Sequence, residues 1–465
     1  EAVQKALNDV IGTYALAITS IDEPEKIVVA KRGGPLVIGI ADAAYYIASD
    51  VNAIVGNASR FICLEDGDIV EVSKDGLKFP NIQNNDYARR VEEITINAQE
   101  TEKCGYDTYM EKEINEQPES IERAFAGRID MENATAKLSG FEDDIFKRTS
   151  KITMMSAGTS WYASYFGSLL FEHFARIHST TEFSSELRYK NPIVNKDDVF
   201  IAVSQSGETA DTIYAMKEIH EKGGKVFGIC NVVSSTIARQ SDGGAFIHAG
   251  PEIAVASTKA FSNTLIIFYL LTLKFARQRE MSKEDGIKFI NQIMKLPRLV
   301  KEALSQKEKI HAIAKKYCHC KDFMFLGRGF MYPIALEGAL KLKEISYIHA
   351  EAFAAGEIKH GPIAMVNEDA PSVFLVPDDF LREKVISNIK EIKARKGPVI
   401  AIGVEGDKEL ESIVDDFIPV PKVENSAFYA LPMVAICQLF AFYCARELGK
   451  DVDQPRNLAK SVTVE

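Results

Sequence analysis

Apolar and polar positions follow two different patterns along this chain. From about residue 150 onward, apolar runs of strand length alternate with helical spacing, as at 198–203, 210–217 and 225–229. Before residue 96, short β-type runs at 26–30, 36–40, 44–50 and 68–72 are separated only by turn signals. Strands that alternate with helices are typical of a parallel sheet covered on both faces. The pattern therefore predicts an α/β protein preceded by a smaller, strand-rich region.

The α/β pattern occurs twice. One apolar run ends at Gly158 and another at Gly327, and a helical segment follows each glycine. The two glycines are 169 positions apart (327 − 158), and the later runs 225–229 and 398–402 repeat at a similar offset. This spacing predicts an internal duplication into two α/β halves of like topology.

Polar and irregular segments divide the chain further. Residues 81–108 are polar and predict a linker, 282–316 predict helices that join the halves, and the last fifteen residues lack periodicity. We therefore divide the chain into a strand-rich region with linker, a first α/β domain, a second α/β domain and a tail, at residues 1–96, 97–281, 282–450 and 451–465.

Composition narrows the class of protein. The chain has 465 residues, enough for two to four domains, and 46% of them are hydrophobic. A net charge of −11 argues against nucleic acid and anionic membranes as partners. The apolar stretch around 265–273 is too short to cross a bilayer, and no secretory signal is visible. Seven scattered cysteines are typical of a reducing cytosol, and Cys318 and Cys320 lack the spacing of a metal site.

A hydroxyl-rich turn lies between the run 198–203 and the helical segment that starts at residue 210. It contains Ser204, Gln205, Ser206 and Thr209. Free N–H groups and the positive end of a helix dipole at such a turn attract anions. The turn contains no lysine, so it is not a Walker-type nucleotide loop. Three hydroxyls and an amide favour a phosphate-ester site over a simple helix cap.

Two further segments are candidate walls of the same pocket. Thr159 and Ser160 follow the first apolar run of the duplication, and Val255 and Ser257 follow another short apolar stretch. In open α/β sheets, ligands bind beyond the carboxyl ends of the strands. These segments are therefore predicted to lie near the hydroxyl-rich turn.

Ionisable groups are concentrated in the second half. Helical spacing puts Glu337, Lys341 and Glu344 on one face. Periodicity alone favours a solvated stripe, worth about 0.3–0.5 kcal/mol per pair. The apolar character of the rest of this helix, and the small-residue segment after it that ends near His360, weaken that interpretation. An imidazole can act as acid or base, although a lone histidine is more often structural, and Lys460 near a terminus is normally a solvated charge.

Together these motifs resemble the glutamine–fructose-6-phosphate aminotransferase family, also called glucosamine-6-phosphate synthases, over essentially the whole chain. The turn 204–209 is similar to sugar-isomerase (SIS) domains in general, whereas segments 337–362 and 453–465 are much more specific to this family. The resemblance implies two tandem SIS domains, each a flavodoxin-like parallel sheet. It also implies that residues 1–96 are the later portion of an Ntn-type glutaminase α+β domain.

The resemblance implies conversion of fructose 6-phosphate to glucosamine 6-phosphate, the first step of hexosamine and UDP-N-acetylglucosamine biosynthesis. It implies a cytoplasmic homodimer that needs no metal and no cofactor. Lys460 would form a Schiff base with the sugar, Glu344 would transfer a proton, Lys341 would assist, and His360, from the partner subunit, would open the ring. The implied phosphate ligands are Ser160, Ser204, Gln205, Ser206 and Thr209. The implied sugar contacts are Thr159, Val255, Ser257 and Ala459.

Departures from the family pattern concern the nitrogen source. The family's glutaminase uses an N-terminal cysteine, whereas this chain opens with Glu1, and Cys63 lies inside a strand-like run. The resemblance implies glutamine as the nitrogen source of the intact enzyme, whereas we expect the chain as given to use only free ammonia. Ala157 and Thr108 also differ from common family residues without touching the proposed chemistry. Two alternatives stay open, a phosphosugar isomerase without amination and a sugar-phosphate-sensing regulator without catalysis.

Overall fold

The computed structural model describes residues 1–80, 87–88, 90–94, 102–141 and 143–462. The strands are β1 (Tyr14–Thr19), β2 (Lys26–Arg32), β3 (Val37–Ile40), β4 (Tyr45–Ala48), β5 (Arg60–Cys63), β6 (Ile69–Ser73), β7 (Gly76–Lys78), β8 (Val91–Glu93), β9 (Ile129–Asp130), β10 (Thr135–Ala136), β11 (Lys151–Ser156), β12 (His178–Phe183), β13 (Asp198–Ser204), β14 (Lys225–Cys230), β15 (Gly243–Phe246), β16 (Asp322–Gly327), β17 (His349–Ala354), β18 (Ser372–Val376), β19 (Val399–Val404) and β20 (Asp416–Val420). The α-helices are α1 (Ala2–Leu7), α2 (Tyr109–Asn115), α3 (Gln117–Phe125), α4 (Asp143–Arg148), α5 (Gly158–Leu170), α6 (Ser184–Leu187), α7 (Ala210–Glu221), α8 (Thr236–Gln240), α9 (Lys259–Arg277), α10 (Lys283–Leu304), α11 (Lys307–Tyr317), α12 (Met331–Ser346), α13 (Arg382–Lys393), α14 (Lys408–Ile413) and α15 (Ala430–Glu447).

The N-terminal region consists of two four-stranded antiparallel sheets, ordered β1-β2-β6-β7 and β4-β3-β5-β8. Apolar side chains such as Val29, Ile38 and Ile62 form one core there. The four predicted strands are confirmed. The predicted linker is wrong in part, because β8 within it pairs with β5 and Val91 packs against this core. Residues 81–86, 89 and 95–101 of that linker lie outside the described residues.

Each α/β half contains a five-stranded parallel sheet. The orders are β12-β11-β13-β14-β15 and β17-β16-β18-β19-β20, so corresponding strands occupy corresponding places. This confirms the predicted duplication. All seven residues of β13 are buried, which explains its continuous apolar run, because helices cover both faces of a parallel sheet. The joining segment is helical as predicted and forms α10 and α11.

The two halves share one hydrophobic core. Within it, the hydroxyl of Tyr269 on α9 donates to the carbonyl of Ala427 at 2.7 Å, and its ring stacks on Phe428 at 4.8 Å between centroids. The segment Ser426–Glu447 is long and apolar enough to cross a membrane, so the prediction that no stretch reaches that length is wrong. However, 94% of its apolar window is buried inside the protein, as expected for a core helix.

The topology brings several loops to one place. Neighbouring strands β11 and β13 end at Ser156 and Ser204, so the loops that follow them lie at the same edge of the first sheet. Helix α12 of the second half packs against α5, which begins in the first of these loops. The edge where the sequence places its hydroxyl groups is therefore also where the second half supplies ionisable groups.

Candidate active site

Hydroxyl groups converge in the turn after β13. The Ser204 and Thr209 hydroxyls are hydrogen-bonded at 2.9 Å, and the backbone N–H of Gly207 donates to the Ser204 Oγ at 3.0 Å. The N–H of Glu208 donates to the Ser206 Oγ at 3.2 Å. These bonds hold the turn in a compact loop at the N-terminus of α7.

Two helix N-termini meet beside this loop. Thr209 precedes α7 and Ala157 precedes α5, and neither side chain caps its helix. Thr159 and Ser160 lie in the first turn of α5. Uncapped N–H groups and two helix dipoles create a positive potential at this edge of the sheet. The arrangement suits a phosphate group, as the sequence predicts.

Glu208 and Gly207 brace the loop in a way that was not predicted. The Glu208 carboxylate accepts hydrogen bonds from the N–H of Thr236 at 2.7 Å and from its hydroxyl at 2.8 Å. Gly207 has φ +68°, and a Cβ there would overlap the Ser235 side chain. Glycine is therefore required at this position for both its backbone conformation and its size.

A buried charge cluster on α12 faces Thr159. The Lys341 Nζ lies 2.5 Å from Glu344 Oε2, 3.1 Å from the Thr159 hydroxyl and 3.5 Å from Glu337 Oε1. The side chains of Lys341 and Glu337 are 1% and 0% exposed, so the solvated stripe that periodicity favours is wrong. Periodicity identifies the shared face, but it does not reveal that α5 covers that face.

Burial sets the charge balance of this cluster. Burial raises the pKa of Glu337 to about 8, despite the charge of Lys341, and Glu337 Oε2 has no hydrogen-bond partner among the described residues. The carboxylates of Glu337 and Glu344 raise the pKa of Lys341 against the opposing effect of burial. Lys341 is therefore a permanent ammonium, and Glu344, with 22% of its side chain exposed, is the carboxylate with access to a ligand.

The C-terminal tail folds back into this region. The Lys460 Nζ donates to Glu252 Oε2 and to the carbonyl of Ala254, both at 2.7 Å. The carbonyl of Val462 accepts a hydrogen bond from the N–H of Ala210, the first residue of α7, at 3.2 Å. The tail thus lies against the helix that follows the hydroxyl-rich turn. Residues 463–465 of the family motif lie outside the described residues.

Two anchors upstream hold the tail in place. The Asp453 carboxylate accepts from the N–H groups of Tyr109 and Met110, both at 2.9 Å, at the start of α2. The N–H of Arg456 donates to the Tyr347 hydroxyl at 2.7 Å, and its guanidinium lies 4.5 Å from that ring centroid. Tyr347 ends α12, so the tail is attached to the helix that carries Glu344.

The carboxylate that holds Lys460 is buried. Glu252 Oε1 accepts from the N–H groups of Thr258 and Ala260 at 2.8 and 3.0 Å. Burial raises the pKa of Glu252, but the charge of Lys460 and these hydrogen bonds outweigh it, so the net direction is downward. The sequence analysis did not identify Glu252 as a site residue. The one available signal is that it is an acidic residue shortly before the start of α9.

A cavity of about 840 Å³ opens between the N-terminal region and the first α/β half. Gln205, Ser206, Ala459 and Lys460 line it. In the adjoining segment, Val255 donates its N–H to the Asp453 carbonyl at 2.9 Å, and the buried Ser257 hydroxyl has no partner among the described residues. An unsatisfied buried hydroxyl favours a ligand contact at this position.

His360 lies apart from the Lys341 cluster on α12. It is exposed at the end of a 3-10 turn, Ala355–His360, and does not line the cavity. Among the described residues it makes no hydrogen bond or ion pair with the Lys341 cluster. Within one chain, the predicted residues of the first half lie in loops and helix starts at the edge of the first sheet, Ala459 and Lys460 lie in the tail, and Lys341 and Glu344 lie on α12.

Comparisons with known proteins agree with this architecture. A family model described as SIS domain matches residues 145–274 and 316–445, one match in each α/β half. The glutamine–fructose-6-phosphate aminotransferase (isomerizing) of Chlorobaculum tepidum is 44% identical over 466 residues, which cover 100% of this chain and 76% of that protein. The chain belongs to the glutamine–fructose-6-phosphate aminotransferase family. The aminotransferase of the same name from Thermotoga maritima is 41% identical and covers 100% of this chain and 77% of that protein.

Solved structures support the same family membership. The C-terminal domain of glucosamine-fructose-6-phosphate aminotransferase from Francisella tularensis aligns with a TM-score of 0.71 and 36% identity. The alignment covers 76% of this chain and 100% of that one. A glucosamine-6-phosphate deaminase from Thermotoga maritima aligns with a TM-score of 0.61 at 23% identity, covering 76% of this chain and 99% of that one, and shows only that the fold is shared.

Proposed function

We propose that this chain converts fructose 6-phosphate and ammonia to glucosamine 6-phosphate and water, the entry reaction of hexosamine biosynthesis. The names of its relatives give fructose 6-phosphate as substrate and glutamine as nitrogen donor. The observation that carries the proposal is the position of Lys460. The Lys460 Nζ lies beside segment 254–257. Val462, in the same C-terminal tail, contacts the start of α7, the helix that follows the hydroxyl-rich turn.

The phosphate of the sugar would bind at the paired helix N-termini. Its proposed ligands are Ser160, Ser204, Gln205, Ser206 and Thr209. A phosphate ester gains charge-assisted hydrogen bonds from hydroxyls and backbone N–H groups there. The sugar then extends toward its proposed contacts, Thr159, Val255, Ser257 and Ala459.

Lys460 is the proposed nucleophile. Its amine, once unprotonated, attacks the C2 ketone, and loss of water leaves an imine between C2 and Nζ. Ammonia adds to C2 and the lysine amine leaves. Glu344 removes a proton from C1 and returns it to C2, which gives the aldehyde form of glucosamine 6-phosphate. Lys341, held at 2.5 Å from Glu344, balances the charge of that carboxylate during the transfer.

The exposed His360 supports a homodimer. A ring-opening acid or base must reach the sugar, and His360 does not reach the Lys341 cluster of its own chain. We infer that it serves the site of a second copy. The scattered cysteines and net charge of −11 support a cytoplasmic enzyme without nucleic-acid or membrane partners, and the proposed steps require no metal or cofactor.

Borohydride trapping tests the role of Lys460. Reduction in the presence of fructose 6-phosphate should attach the sugar covalently to Lys460, as located by peptide mass spectrometry, while the Lys460→Arg variant should trap none. Attachment to a different lysine, or to none, contradicts the proposal.

Product analysis separates the two alternatives. With an ammonium salt present, the proposed enzyme forms glucosamine 6-phosphate. An isomerase without amination forms glucose 6-phosphate under the same conditions. A sensor binds fructose 6-phosphate and forms neither product.

A further inference from the structure

Two oxygen atoms form a binding place for an amine beside the proposed sugar site. Glu252 Oε2 and the carbonyl oxygen of Ala254 each lie 2.7 Å from the Lys460 Nζ. We call these two oxygens the amine cradle. The other Glu252 oxygen is held by the N–H groups of Thr258 and Ala260. Because these bonds come from backbone of the first α/β half, the cradle keeps its position when the lysine moves.

The proposed reaction empties this cradle. Once Nζ is bonded to C2 of the sugar, it has fewer N–H groups and is tied to the substrate. The Glu252 side chain is 0% exposed, so departure of Lys460 leaves its Oε2 as a buried charged oxygen without its donor, which is unfavourable. A small N–H donor that replaces the ammonium of Lys460 removes that penalty.

A second buried carboxylate lies behind the cradle. Glu113 Oε1 accepts from the N–H groups of Ile253 and Ala254 at 2.5 and 3.2 Å, and its Oε2 has no partner among the described residues. Burial and the charge of Glu252 raise the pKa of Glu113. A carboxyl group whose pKa is raised in this way tends to keep its proton, so Glu252, whose pKa is lowered, is the charged acceptor of this region.

We infer that the amine cradle is the binding site for the ammonia that replaces Lys460. This inference rests on the proposed function. Ammonia donates N–H groups to Glu252 Oε2 and to the Ala254 carbonyl, which leaves its lone pair free for C2. The new C2–N bond forms, one proton passes from the incoming nitrogen to Nζ, and the C2–Nζ bond breaks. A protonated imine and neutral ammonia thus give a protonated imine of ammonia and a neutral lysine amine.

The reach of one side chain supports this assignment. Lys460 has a single backbone position in the tail, and its Nζ contacts the cradle in the structure and C2 in the proposed intermediate. The amine cradle and C2 of the sugar are therefore both within reach of the Lys460 side chain. Ammonia in the cradle is consequently close to the carbon that it must attack.

The test is a comparison of Glu252→Gln with wild type, using the full chain, fructose 6-phosphate and ammonium chloride at constant pH and ionic strength. Glutamine keeps an oxygen for the N–H groups of Thr258 and Ala260 but removes the charged acceptor, so the variant should fold, as checked by circular dichroism. We expect the KM for ammonium to rise about tenfold or more, the range for loss of a charged hydrogen-bond acceptor. The KM for fructose 6-phosphate and the borohydride trapping on Lys460 should change less than about threefold.

Two further variants complete the design. Glu116→Gln removes a carboxylate from the same charge network, where it accepts from the Lys259 Nζ at 2.7 Å, but does not touch the cradle. Its KM for ammonium should match wild type. Glu252→Asp keeps the charge but withdraws it by one methylene group, so it should give an intermediate KM, and it serves if the glutamine variant does not fold.

The outcomes separate the inference from the proposed function. If wild type fails to trap the sugar on Lys460, the proposed function fails. If wild type traps the sugar and both Glu252 variants keep the wild-type KM for ammonium, the inference is overturned while the function stands. Loss of trapping in Glu252→Gln also overturns it, because the carboxylate would then serve to place the lysine. If wild type traps the sugar but forms no amino sugar at any ammonium concentration, the proposed function fails and not the inference alone.

Discussion

The two SIS halves have the same strand order but carry different chemistry at equivalent places. After β13, the first half has a turn of hydroxyls, Ser204 to Thr209, whereas the equivalent strand β18 is followed by Pro377, Asp378 and Asp379. Two carboxylates at that place repel a phosphate, and Asp379 is already occupied by the N–H of Leu381 at 2.8 Å. Among the described residues, the hydroxyl-rich turn that is proposed to bind the phosphate therefore follows β13 and has no equivalent after β18.

The helices that follow β11 and β16 also differ, but here the second half carries the functional groups. Helix α5 contains no charged residue, whereas its counterpart α12 carries Glu337, Lys341 and Glu344. Under the proposed function, the duplicated fold divides the work between its copies, since the first half would anchor the sugar phosphate and the second would supply proton transfer. The shared core keeps the two sets in contact. The variants below test this division through separate effects on kcat and KM.

The largest effect is expected for the second half. Glu344→Gln should lower kcat by about 10²–10⁴-fold, because a positioned acid–base group contributes that much. The KM for fructose 6-phosphate should change little, as measured by initial rates of glucosamine 6-phosphate formation. Glu351→Gln, an exposed carboxylate on β17, is the control. An equal fall in kcat for both variants contradicts the assigned role.

A smaller effect, on KM, is expected for the first half. Ser206→Ala removes one hydroxyl from the anion turn and should raise the KM for fructose 6-phosphate about 10- to 100-fold, the range for a hydrogen bond to a charged group. The kcat should stay near that of wild type. Asp378, at the equivalent turn of the second half, pairs with the exposed Lys422, and Asp378→Asn should leave both constants unchanged. A rise in KM for Asp378→Asn means that the second turn also contacts substrate.

Stability should depend on pH through Glu337. Its pKa is raised from 4.5 in the unfolded chain to about 8 by burial, so the folded state retains a proton that the unfolded state has lost in this window. Stability from this site is therefore present below about pH 4.5 and is lost as the pH rises toward 8. Glu337→Gln does not titrate, so its free energy of unfolding relative to wild type should increase by on the order of 2–4 kcal/mol from pH 5 to pH 8.

Urea titrations at several pH values measure this difference. A constant difference between Glu337→Gln and wild type across the range means that Glu337 is ionised throughout.

The smallest effect concerns the shape of the anion turn. Gly207→Ala combines a left-handed backbone with an overlap against Ser235, whereas Gly406→Ala after β19 has the same backbone strain, at φ +85°, with open space around it. Backbone strain alone costs about 1 kcal/mol, and the overlap adds to it. Thermal melts should show a larger fall for Gly207→Ala, together with a higher KM for fructose 6-phosphate. Equal melts with unchanged KM contradict the packing argument.

Local pattern was sufficient for most elements and for the anion turn. The apolar run 198–203 became β13, the helical segment from residue 210 became α7, and the offset of 169 positions marked the two halves. The sequence pattern failed where the burial of a segment depends on residues that are distant along the chain. Periodicity alone favoured a solvated stripe on α12, because the sequence does not show that α5 covers it. Strand β8 was predicted as linker because its partner β5 lies about thirty residues earlier.

The sequence by itself determined the fold class, the duplication and which half carries the hydroxyl-rich turn, because these depend on periodicities of two and 3.6 residues and on the side chains of one turn. Tertiary structure alone decided that Lys460 meets Glu252, 208 residues away, and that Lys341 meets Thr159 across the two halves. It also decided which carboxylates are buried, and hence the direction in which the pKa of Glu337 shifts. Those properties depend on which surfaces exclude water, and that is a property of the packed chain and not of any local segment.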